Sequence, residues 1–344
     1  MSSTAEHASA AVPTTAHDVL AVRDLVKHFP ITRGLLRRTV GHVRAVDGVT
    51  FSVGAGETVG LVGESGSGKS TVARLVLRLL DPTGGSIRFE GRELTGLRSR
   101  ELMPLRRRMQ IVFQDPVSSF DPRMTVLSVV TEPLEAHEVT DARANRRRAA
   151  ELLERVGLAA SDLDKYPHQF SGGQAQRIGI ARALATDPRL LVCDEAVSAL
   201  DVSVQAQVLN LLRSLQRDLG LSYLFIAHDL NVVRYVSDRI CVMYLGEIVE
   251  QGPADQLLSD PRHPYTRTLA AAIATADPLV ARTRGRQVVR GEIPSPSAPP
   301  PGCRFHTRCP VALDVCRTVR PEPAPAGPGR TAACHLVAKE VARG

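Results

Sequence analysis

The sequence predicts an α/β fold built on a parallel sheet, and three observations lead to this prediction. Residues 63–70 fit the pattern G-x-x-x-x-G-K-S/T of a phosphate-binding loop. Residues 190–193 and 223–227 are apolar runs that are too short for helices, and a polar residue follows each. Central parallel strands have this pattern when functional groups lie at their carboxyl ends. Residues 57–62 predict a third such strand, which runs directly into the glycines of the loop.

Around this sheet the sequence predicts a second sheet and several helices. Segments punctuated by Gly, Asp and Pro indicate a small antiparallel sheet at residues 19–25, 49–53 and 86–89. A helix is expected at 71–80, where Asp81-Pro82 ends it, and an amphipathic helix at 144–156. Residues 116–133 begin and end with proline and are predicted to be rich in turns.

Composition and charge exclude several classes of protein. The chain has 344 residues and a net charge of +7, and only four of its basic residues are lysines. No stretch approaches the ~18 unbroken apolar residues of a membrane-spanning helix. The arginine runs at 106–108 and 146–148 have no interleaved aromatic residues for base stacking, so nucleic acid is not expected as a partner. Residues 1–17 predict a disordered leader rather than a signal peptide, and hence a protein kept in the cytoplasm.

The phosphate-binding loop is expected to hold the phosphates of a nucleotide. Its glycines let backbone N–H groups turn inward around phosphate oxygens, and the following helix start adds partial positive charge. Lys69 is expected to reach the β- and γ-phosphates, and Ser70 to coordinate Mg²⁺. The residues expected to contact the nucleotide in this loop are Gly63, Glu64, Ser65, Gly66, Ser67, Gly68, Lys69, Ser70 and Thr71.

A second glycine-rich helix start follows at Ser171-Gly172-Gly173-Gln174. Ser171 can cap the helix while it offers its hydroxyl to a phosphate, and the two glycines expose backbone N–H groups. One nucleotide hardly needs two such cradles from one chain, whereas a head-to-tail dimer uses both. The motif therefore predicts that this chain is half of a dimeric assembly.

Two carboxylates follow the apolar run at 190–193. Asp194 is expected to hold Mg²⁺, directly or through water. Glu195 is expected to polarise the attacking water as a general base.

In this order the motifs resemble those of the ATP-binding cassette (ABC) ATPases, and the resemblance implies further site residues. Gln114 resembles the Q-loop glutamine, which senses Mg²⁺ and water, and Asp201 resembles the D-loop residue at the dimer interface. His228 resembles the switch histidine that contacts the γ-phosphate. Phe29 lies where the family places an aromatic ring on adenine. In this family, residues equivalent to 171–174 close over ATP held by a second subunit.

The resemblance implies an ABC-type P-loop NTPase fold, with a RecA-like core, an antiparallel β subdomain and an α-helical subdomain. A small C-terminal extension rich in Cys and Pro is expected after it. The expected boundaries are 18–252 for the ATPase domain, about 115–180 for its helical subdomain and 253–344 for the extension, with a four-cysteine segment at 303–334.

Within the family, the sequence is most similar to the second, F-type ATPase subunit of oligopeptide/dipeptide importers. The stretches that carry this similarity are 43–49, 112–116, 166–170, 194–203 and 263–266. Three residues depart from the usual pattern. Phe170 replaces Leu, Ala196 replaces Pro, and Ala175 stands where Arg or Gln usually follows the signature glutamine.

Four of the six cysteines crowd into the last 42 residues: Cys303, Cys309, Cys316 and Cys334. In a cytosolic protein this argues for a metal centre or plain thiols rather than disulfides. Their spacing lacks the paired C-x2-C of common zinc sites and the short ferredoxin spacings, so chemistry alone leaves Zn²⁺ and an iron–sulfur cluster open. The resemblance favours a 4Fe–4S cluster. Zn²⁺ remains the alternative because His306 and His335 are available, and free structural thiols are a third interpretation.

The function that the resemblance implies is ATP hydrolysis that powers import of di- or oligopeptides. The protein is then expected at the cytoplasmic face of the cell membrane, as a peripheral protein. The expected partners are a sister ABC ATPase subunit, two membrane permease subunits and an extracytoplasmic solute-binding protein. Import of nickel or another solute, and a soluble ABC ATPase outside transport, are the alternatives. Glu195 and His228 argue against a non-hydrolysing regulatory cassette.

Overall fold

The structure, a computed structural model, describes residues 18–34, 38–137, 139, 141–271 and 292–341. The leader predicted at 1–17 lies outside these residues. Within the described part of the chain, no helix is both long enough and apolar enough to cross a membrane.

The elements of the described residues are numbered here in chain order. The strands are β1 Asp18–Arg33, β2 Arg38–Gly54, β3 Thr58–Val62, β4 Gly84–Phe89, β5 Arg92–Glu93, β6 Met109–Val112, β7 Leu190–Asp194, β8 Ser222–Ala227, β9 Arg239–Tyr244, β10 Glu247–Pro253, β11 Ala324–Pro325 and β12 Thr331–Ala332. The α-helices are α1 Lys69–Val76, α2 Ser99–Arg106, α3 Pro116–Ser119, α4 Val126–Ala136, α5 Ala142–Arg155, α6 Gly172–Leu184, α7 Val202–Leu219, α8 Leu230–Val236, α9 Ala254–Ser259, α10 Pro264–Ala271 and α11 His335–Val341.

The larger of the two sheets has eight strands in the order β11-β12-β10-β9-β3-β8-β7-β6. The strands β9, β3, β8, β7 and β6 run parallel to one another, whereas β10, β12 and β11 are added in antiparallel fashion. The three strands predicted from short apolar runs are β3, β7 and β8, and they are neighbours within the parallel part. The α/β prediction is therefore confirmed at its centre.

The second sheet is antiparallel, with the order β2-β1-β4-β5. The three segments predicted to form it fall within β1, β2 and β4. β1 and β2 are 16 and 17 residues long and extend well beyond the predicted segments. The sequence pattern indicates only their buried portions because the outer halves, residues 26–33 and 38–45, contain no fully buried residue.

Both faces of the larger sheet are covered by apolar side chains. Successive residues of a strand point to opposite faces. Accordingly, Tyr223 and Phe225 of β8 join an apolar cluster with α4–α7, while Leu224 and Ile226 join another with α1 and the antiparallel sheet. A shift of one residue in register would exchange these two sets, so the packing on both faces fixes the strand alignment.

Residues 116–133 are more helical than predicted, because they contain α3 and most of α4. The Thr125 side chain accepts a hydrogen bond from the Ser128 N–H and begins α4. Val126, Val129 and Val130 then bury one face of the helix. The prolines that suggested turns do not prevent this because the apolar face packs against α6. The helices predicted at 71–80 and 144–156 correspond to α1, which ends earlier, and to α5.

The proline-rich C-terminal residues add an edge to the ATPase sheet. β12 pairs with β10 through Glu250–Ala332 and Gln251–Thr331, and β11 pairs with β12. Glu250 is almost completely buried at this edge. Its carboxylate accepts hydrogen bonds from the backbone N–H groups of Arg262 (2.9 Å) and His263 (2.8 Å), and from the Arg330 guanidinium (3.0 Å).

Because the Glu250–Arg330 ion pair is buried, we expect that breaking it lowers the stability of the fold strongly, although the pair is remote from the phosphate-binding loop. Arg330→Met removes the guanidinium that pairs with the buried Glu250 carboxylate and should lower the free energy of unfolding by about 3–5 kcal/mol. Arg146→Met, which breaks an exposed ion pair with Asp164, should cost less than about 1 kcal/mol. Urea denaturation of the two variants measures the difference, and equal losses would contradict the assigned role of Glu250.

Candidate active site

The predicted functional residues converge at one edge of the larger sheet. The phosphate-binding loop follows β3, Asp194 ends β7, His228 follows β8 and Gln114 follows β6. These four strands run parallel, so their carboxyl ends lie along the same edge. This edge is where ligands bind in open α/β sheets.

The glycines of the loop are required by close packing as well as by backbone conformation. Gly63 has φ +155 and Gly68 has φ +105. A Cβ atom at Gly63 would lie 2.1 Å from the Met243 carbonyl oxygen, and one at Gly68 would lie 2.1 Å from that of Ala45. Distances this short exclude any side chain at these two positions. Gly66 lies in open space, and only its φ of +78 favours glycine there.

Lys69 is buried beneath the loop, with 4% of its surface exposed. Its ammonium donates hydrogen bonds to the carbonyl oxygens of Gly63 (2.8 Å) and Glu64 (2.9 Å). Burial lowers the pKa of Lys69, while the nearby carboxylates of Glu195 and Asp194 act in the opposite direction. A buried ammonium whose hydrogen bonds go to neutral oxygens gains strongly from an anionic ligand, and a phosphate group is such a ligand.

Ser70 and Asp194, two of the expected Mg²⁺ ligands, are in direct contact. The Ser70 hydroxyl donates to Asp194 Oδ1 at 2.9 Å. Burial raises the pKa of the Asp194 carboxyl, and the bond from Ser70 opposes this rise. Paired oxygen donors beside a phosphate-binding loop are the ligands that Mg²⁺ prefers, so these residues fit that ion. Gln114 is exposed, and within the described residues its side chain makes no hydrogen bond.

Glu195 and His228 form a second pair at this edge, with His228 Nδ1 3.5 Å from Glu195 Oε2. The backbone of Glu195 has φ +51, in the left-handed region that a glutamate rarely adopts. Its N–H donates to the Ile226 carbonyl at 3.0 Å and its own carbonyl accepts from the Ser198 hydroxyl at 3.0 Å. These bonds hold the strained conformation and direct the carboxylate toward His228. Backbone strain of this type is concentrated at functional sites.

The signature residues 171–174 form the predicted helix start, and the structure adds a steric reason for one glycine. Ser171 and Gln174 cap α6 reciprocally: the Gln174 N–H donates to Ser171 Oγ at 3.4 Å and the Ser171 N–H to Gln174 Oε1 at 3.0 Å. A Cβ at Gly173 would lie 2.3 Å from Val204 of α7. In the described part of the chain, no hydrogen bond connects these side chains to the phosphate-binding loop, so the structure does not bring the two motifs together within one subunit.

Asp201 and Phe29 have local partners. Asp201 is the N-cap of α7, and its Oδ1 accepts from the N–H groups of Ser203 (3.1 Å) and Val204 (3.0 Å). The Phe29 ring on β1 is half-buried, with the Lys27 ammonium 5.1 Å from its centroid. Val204 contacts both the D-loop cap and Gly173, so α7 links the D-loop to the signature helix.

The four C-terminal cysteines lie close enough to influence one another but do not form a metal site as they stand. The pKa of the Cys303 thiol is raised to about 12, chiefly by burial and to a lesser degree by the other three cysteines. Among the described residues, no group of three or more His, Cys, Asp or Glu side chains could hold a metal ion. The structure therefore gives no support to the expected iron–sulfur or zinc centre.

Two residues at the loop were not identified from the sequence. The Tyr265 hydroxyl accepts a hydrogen bond from the Glu64 N–H at 2.9 Å, and the Arg308 guanidinium pairs with the Glu64 carboxylate. In the sequence, Tyr265 stands out only as part of the importer-like stretch 263–266, and nothing distinguishes Arg308 from the other arginines. Both lie more than 200 positions from Glu64, and no local pattern indicates such a contact.

Two family descriptions match the chain. One, ABC transporter, covers residues 46–198, and the other, the C-terminal region of oligopeptide/dipeptide transporters, covers residues 249–316. A probable peptide ABC transporter ATP-binding protein of Sinorhizobium fredii is 52% identical over 94% of this chain and 91% of its own length. The oligopeptide transport ATP-binding protein AppF of Bacillus subtilis is 50% identical over 92% of this chain and 97% of its own length.

Solved structures agree on the fold. A dimeric ATP-binding cassette in a post-hydrolysis state, bound to ADP and Pi, matches with a TM-score of 0.60 and 29% identity, over 68% of this chain and 98% of its own. A subunit of the ABC transporter complex cbiONQ from Clostridium perfringens matches with a TM-score of 0.61 and 27% identity, over 71% of this chain and 92% of its own. The fold agrees with these solved structures, and the chain belongs to the ABC transporter ATPases that carry the oligopeptide/dipeptide transporter C-terminal region.

Proposed function

We propose that this ATPase powers import of di- or oligopeptides through an ABC transporter, from the cytoplasmic face of the membrane. The observation that carries the proposal is the joint presence of the loop, the Ser70–Asp194 pair and the Glu195–His228 pair at one sheet edge. The peptide cargo is supported by the matched C-terminal region and by the names of the relatives. Nickel or another solute is the alternative cargo, and a soluble ATPase outside transport is the less favoured alternative function.

In the proposed mechanism, residues 63–71 cradle the triphosphate and Lys69 exchanges its loop carbonyls for β- and γ-phosphate oxygens. Ser70, Asp194 and Gln114 would hold Mg²⁺, which would neutralise charge on the phosphate oxygens. Glu195 accepts a proton from the attacking water as the general base, at the position that its strained backbone fixes.

Two further side chains, which lie outside the phosphate-binding loop, are proposed to contact the nucleotide. His228 lies beside Glu195 and orients toward the γ-phosphate, and Phe29 stacks on adenine. The proposed Mg²⁺ contact requires Gln114 to approach the nucleotide, since its exposed side chain makes no hydrogen bond within the described residues.

We further propose that each ATP site is completed by a second subunit. Ser171, Gly172, Gly173 and Gln174, together with Asp201, would close over ATP held by a sister ABC ATPase. The support is that the signature is built and capped locally, while its side chains make no hydrogen bond to this chain's own loop within the described residues.

The proposed assembly has four kinds of component. The sister ATPase forms a heterodimer with this chain, two membrane permease subunits form the path, and an extracytoplasmic solute-binding protein selects the cargo. Within the chain, we propose an ATPase domain at 18–252, its helical subdomain at about 115–180 and an extension at 253–344. Closure of the heterodimer on ATP would drive the permeases, and hydrolysis would reset them.

As a separate proposal, the cysteine segment 303–334 binds a 4Fe–4S cluster, with Zn²⁺ as the alternative. The four thiols interact electrostatically, and backbone N–H groups of Phe305 and Val311 donate toward the sulfurs of Cys303 and Cys309. Such N–H donors stabilise thiolates. Because the thiols form no metal-holding group as they stand, loading would have to draw them together.

The first prediction concerns the general base. Glu195→Gln should lower ATP turnover of the assembled transporter by about 10²–10⁴-fold, because general-base catalysis contributes an effect of that size, while ATP still binds. Lys69→Ala should instead abolish ATP binding. Steady-state hydrolysis and equilibrium ATP binding separate the two variants, and wild-type turnover by Glu195→Gln would contradict the assigned base.

The same variant tests the cargo in cells. A strain whose chromosomal copy carries Glu195→Gln should lose uptake of radiolabelled di- or oligopeptides and keep nickel uptake. Loss of nickel uptake with normal peptide uptake would establish the alternative cargo.

The second prediction concerns the composite site. Ser171→Arg should block closure over the sister's ATP and so lower hydrolysis by the assembled heterodimer, whereas the isolated chain should bind ATP with unchanged affinity. A matching loss of affinity in the isolated chain would show that the signature serves the chain's own nucleotide.

The third prediction concerns the cysteines. The full chain, purified anaerobically, should contain about four iron and four sulfide per chain for a 4Fe–4S cluster and should be brown. Cys316→Ser should remove both. One equivalent of zinc without iron would establish the alternative, and metal-free protein with intact thiols would refute both metal proposals.

A further inference from the structure

Two residues of the C-terminal extension form polar contacts with Glu64 of the phosphate-binding loop. All three polar groups of this residue are engaged. Its carbonyl oxygen accepts from the Lys69 ammonium (2.9 Å), its N–H donates to the Tyr265 hydroxyl (2.9 Å), and its carboxylate is paired with Arg308. Two of these three partners, Tyr265 and Arg308, come from the region matched to the oligopeptide/dipeptide transporter C-terminus.

The pair between Arg308 and Glu64 has the geometry of a strong, directional contact. One guanidinium nitrogen lies 2.7 Å from Glu64 Oε2 and the other 3.1 Å from Oε1, so the contact is bidentate. The Arg308 side chain is 6% exposed, and that of Glu64 is 24% exposed. Because this pair is shielded from water, solvent and dissolved salt weaken its electrostatic attraction far less than they weaken that of an exposed pair.

Arg308 is itself held in place by aromatic rings. Its guanidinium lies 5.8 Å from the centroid of Tyr244 and 5.9 Å from that of Phe305. Those two rings and Tyr265 form one buried cluster, with centroid distances of 4.7 to 5.3 Å. Tyr244 ends β9, the parallel neighbour of β3, from which the loop emerges. The ion pair between Arg308 and Glu64 is therefore packed against the same sheet from which the loop emerges.

The negative charge of Glu64 explains why its pairing with Arg308 matters for ATP binding. A carboxylate in the loop lies close enough to Lys69 to stabilise its ammonium and would likewise repel an incoming triphosphate. Arg308 neutralises that carboxylate and draws it toward the extension. Tyr265 meanwhile holds the Gly63–Glu64 peptide group by its N–H, and the carbonyl of that same peptide group, which belongs to Gly63, is directed at Lys69.

We propose that Arg308 and Tyr265 are positioning residues for the ATP site, which act through Glu64: Arg308 cancels the carboxylate charge that would oppose ATP, and Tyr265 fixes the peptide orientation of the loop. The inference rests on the proposed nucleotide site and deepens it, since it makes the C-terminal extension a determinant of ATP affinity.

The test is equilibrium binding of Mg-ATP to the full chain, with four variants compared with the wild type. Arg308→Met keeps the packing on the rings but removes the charge, and it should weaken ATP binding about tenfold, the effect of one well-shielded charge interaction. Glu64→Gln added to Arg308→Met removes the uncompensated carboxylate and should restore affinity to within about threefold of wild type. Tyr265→Phe should weaken binding about threefold, as expected for loss of one hydrogen bond.

Arg320→Met is the matched control, because this half-exposed arginine of the same extension pairs with Glu247 and not with Glu64. It should bind ATP as the wild type does. In the assembled transporter, Arg308→Met should raise KM for ATP with kcat retained, a split that general loss of stability would not produce.

The outcomes separate the inference from the proposed function. A wild-type chain that does not bind Mg-ATP would overturn the nucleotide site itself. Wild-type affinity in Arg308→Met, or failure of Glu64→Gln to restore it, would overturn the positioning role while the nucleotide site stands. If thermal melting shows that Arg308→Met is not folded, Arg308→Lys replaces it in the test, because lysine keeps the charge but loses the bidentate contact. Its affinity for ATP should lie between that of the wild type and the tenfold-weakened level. Wild-type affinity of Arg308→Lys would contradict the role of the bidentate contact.

Discussion

The burial of the Lys69 ammonium is the constraint on which the rest of the site depends. An ammonium that is 4% exposed must be supplied with acceptors, and the loop supplies them from the carbonyls of Gly63 and Glu64. This packing of the loop requires glycine at positions 63 and 68, where a Cβ would meet backbone oxygens of Met243 and Ala45. The carboxylates of Asp194 and Glu195 then favour the charged form of the lysine. The side chains that stabilise the Lys69 ammonium are among those proposed to act on ATP and Mg²⁺, so the arrangement of the site suits the reaction.

The C-terminal residues are part of this arrangement rather than a separate appendage. β11 and β12 extend the ATPase sheet, Arg330 compensates the buried Glu250, and Arg304 pairs with Glu247 and Asp47 beside β10 and β2. The chain between Cys303 and Cys309 passes directly over the loop, where Arg308 meets Glu64. A structural change in the cysteine segment would therefore reach the phosphate-binding loop through the Arg308–Glu64 ion pair, whichever state the thiols adopt.

The sequence predicts those parts of the structure whose physical cause is local. The loop, the strand ends at Asp194 and Glu195 and the cap at Ser171 depend on residue types at fixed spacing, and the structure contains each of them. The sequence does not indicate α4 because proline begins and ends the stretch 116–133, whereas the helix contains Pro133 in its interior and is stabilised by tertiary burial of three valines. The need for glycine at position 173 comes from Val204, thirty-one positions away. The contacts of Tyr265 and Arg308 with Glu64 join residues more than 200 positions apart, and no periodicity or motif encodes them.

Hydrogen exchange of the loop amides at single-residue resolution, with and without Mg-ATP, tests the central claim most directly. The claim is that contacts within the chain fix the loop before nucleotide binds: Lys69 bonds to its carbonyl oxygens, and Tyr265 and Arg308 bond to Glu64. The Glu64 amide, bonded to the Tyr265 hydroxyl, should then be protected before nucleotide is added, whereas the amides of Ser65 and Gly66 should become protected only with Mg-ATP. Free exchange of the Glu64 amide in the nucleotide-free chain, or loop amides that do not respond to Mg-ATP, would contradict this account.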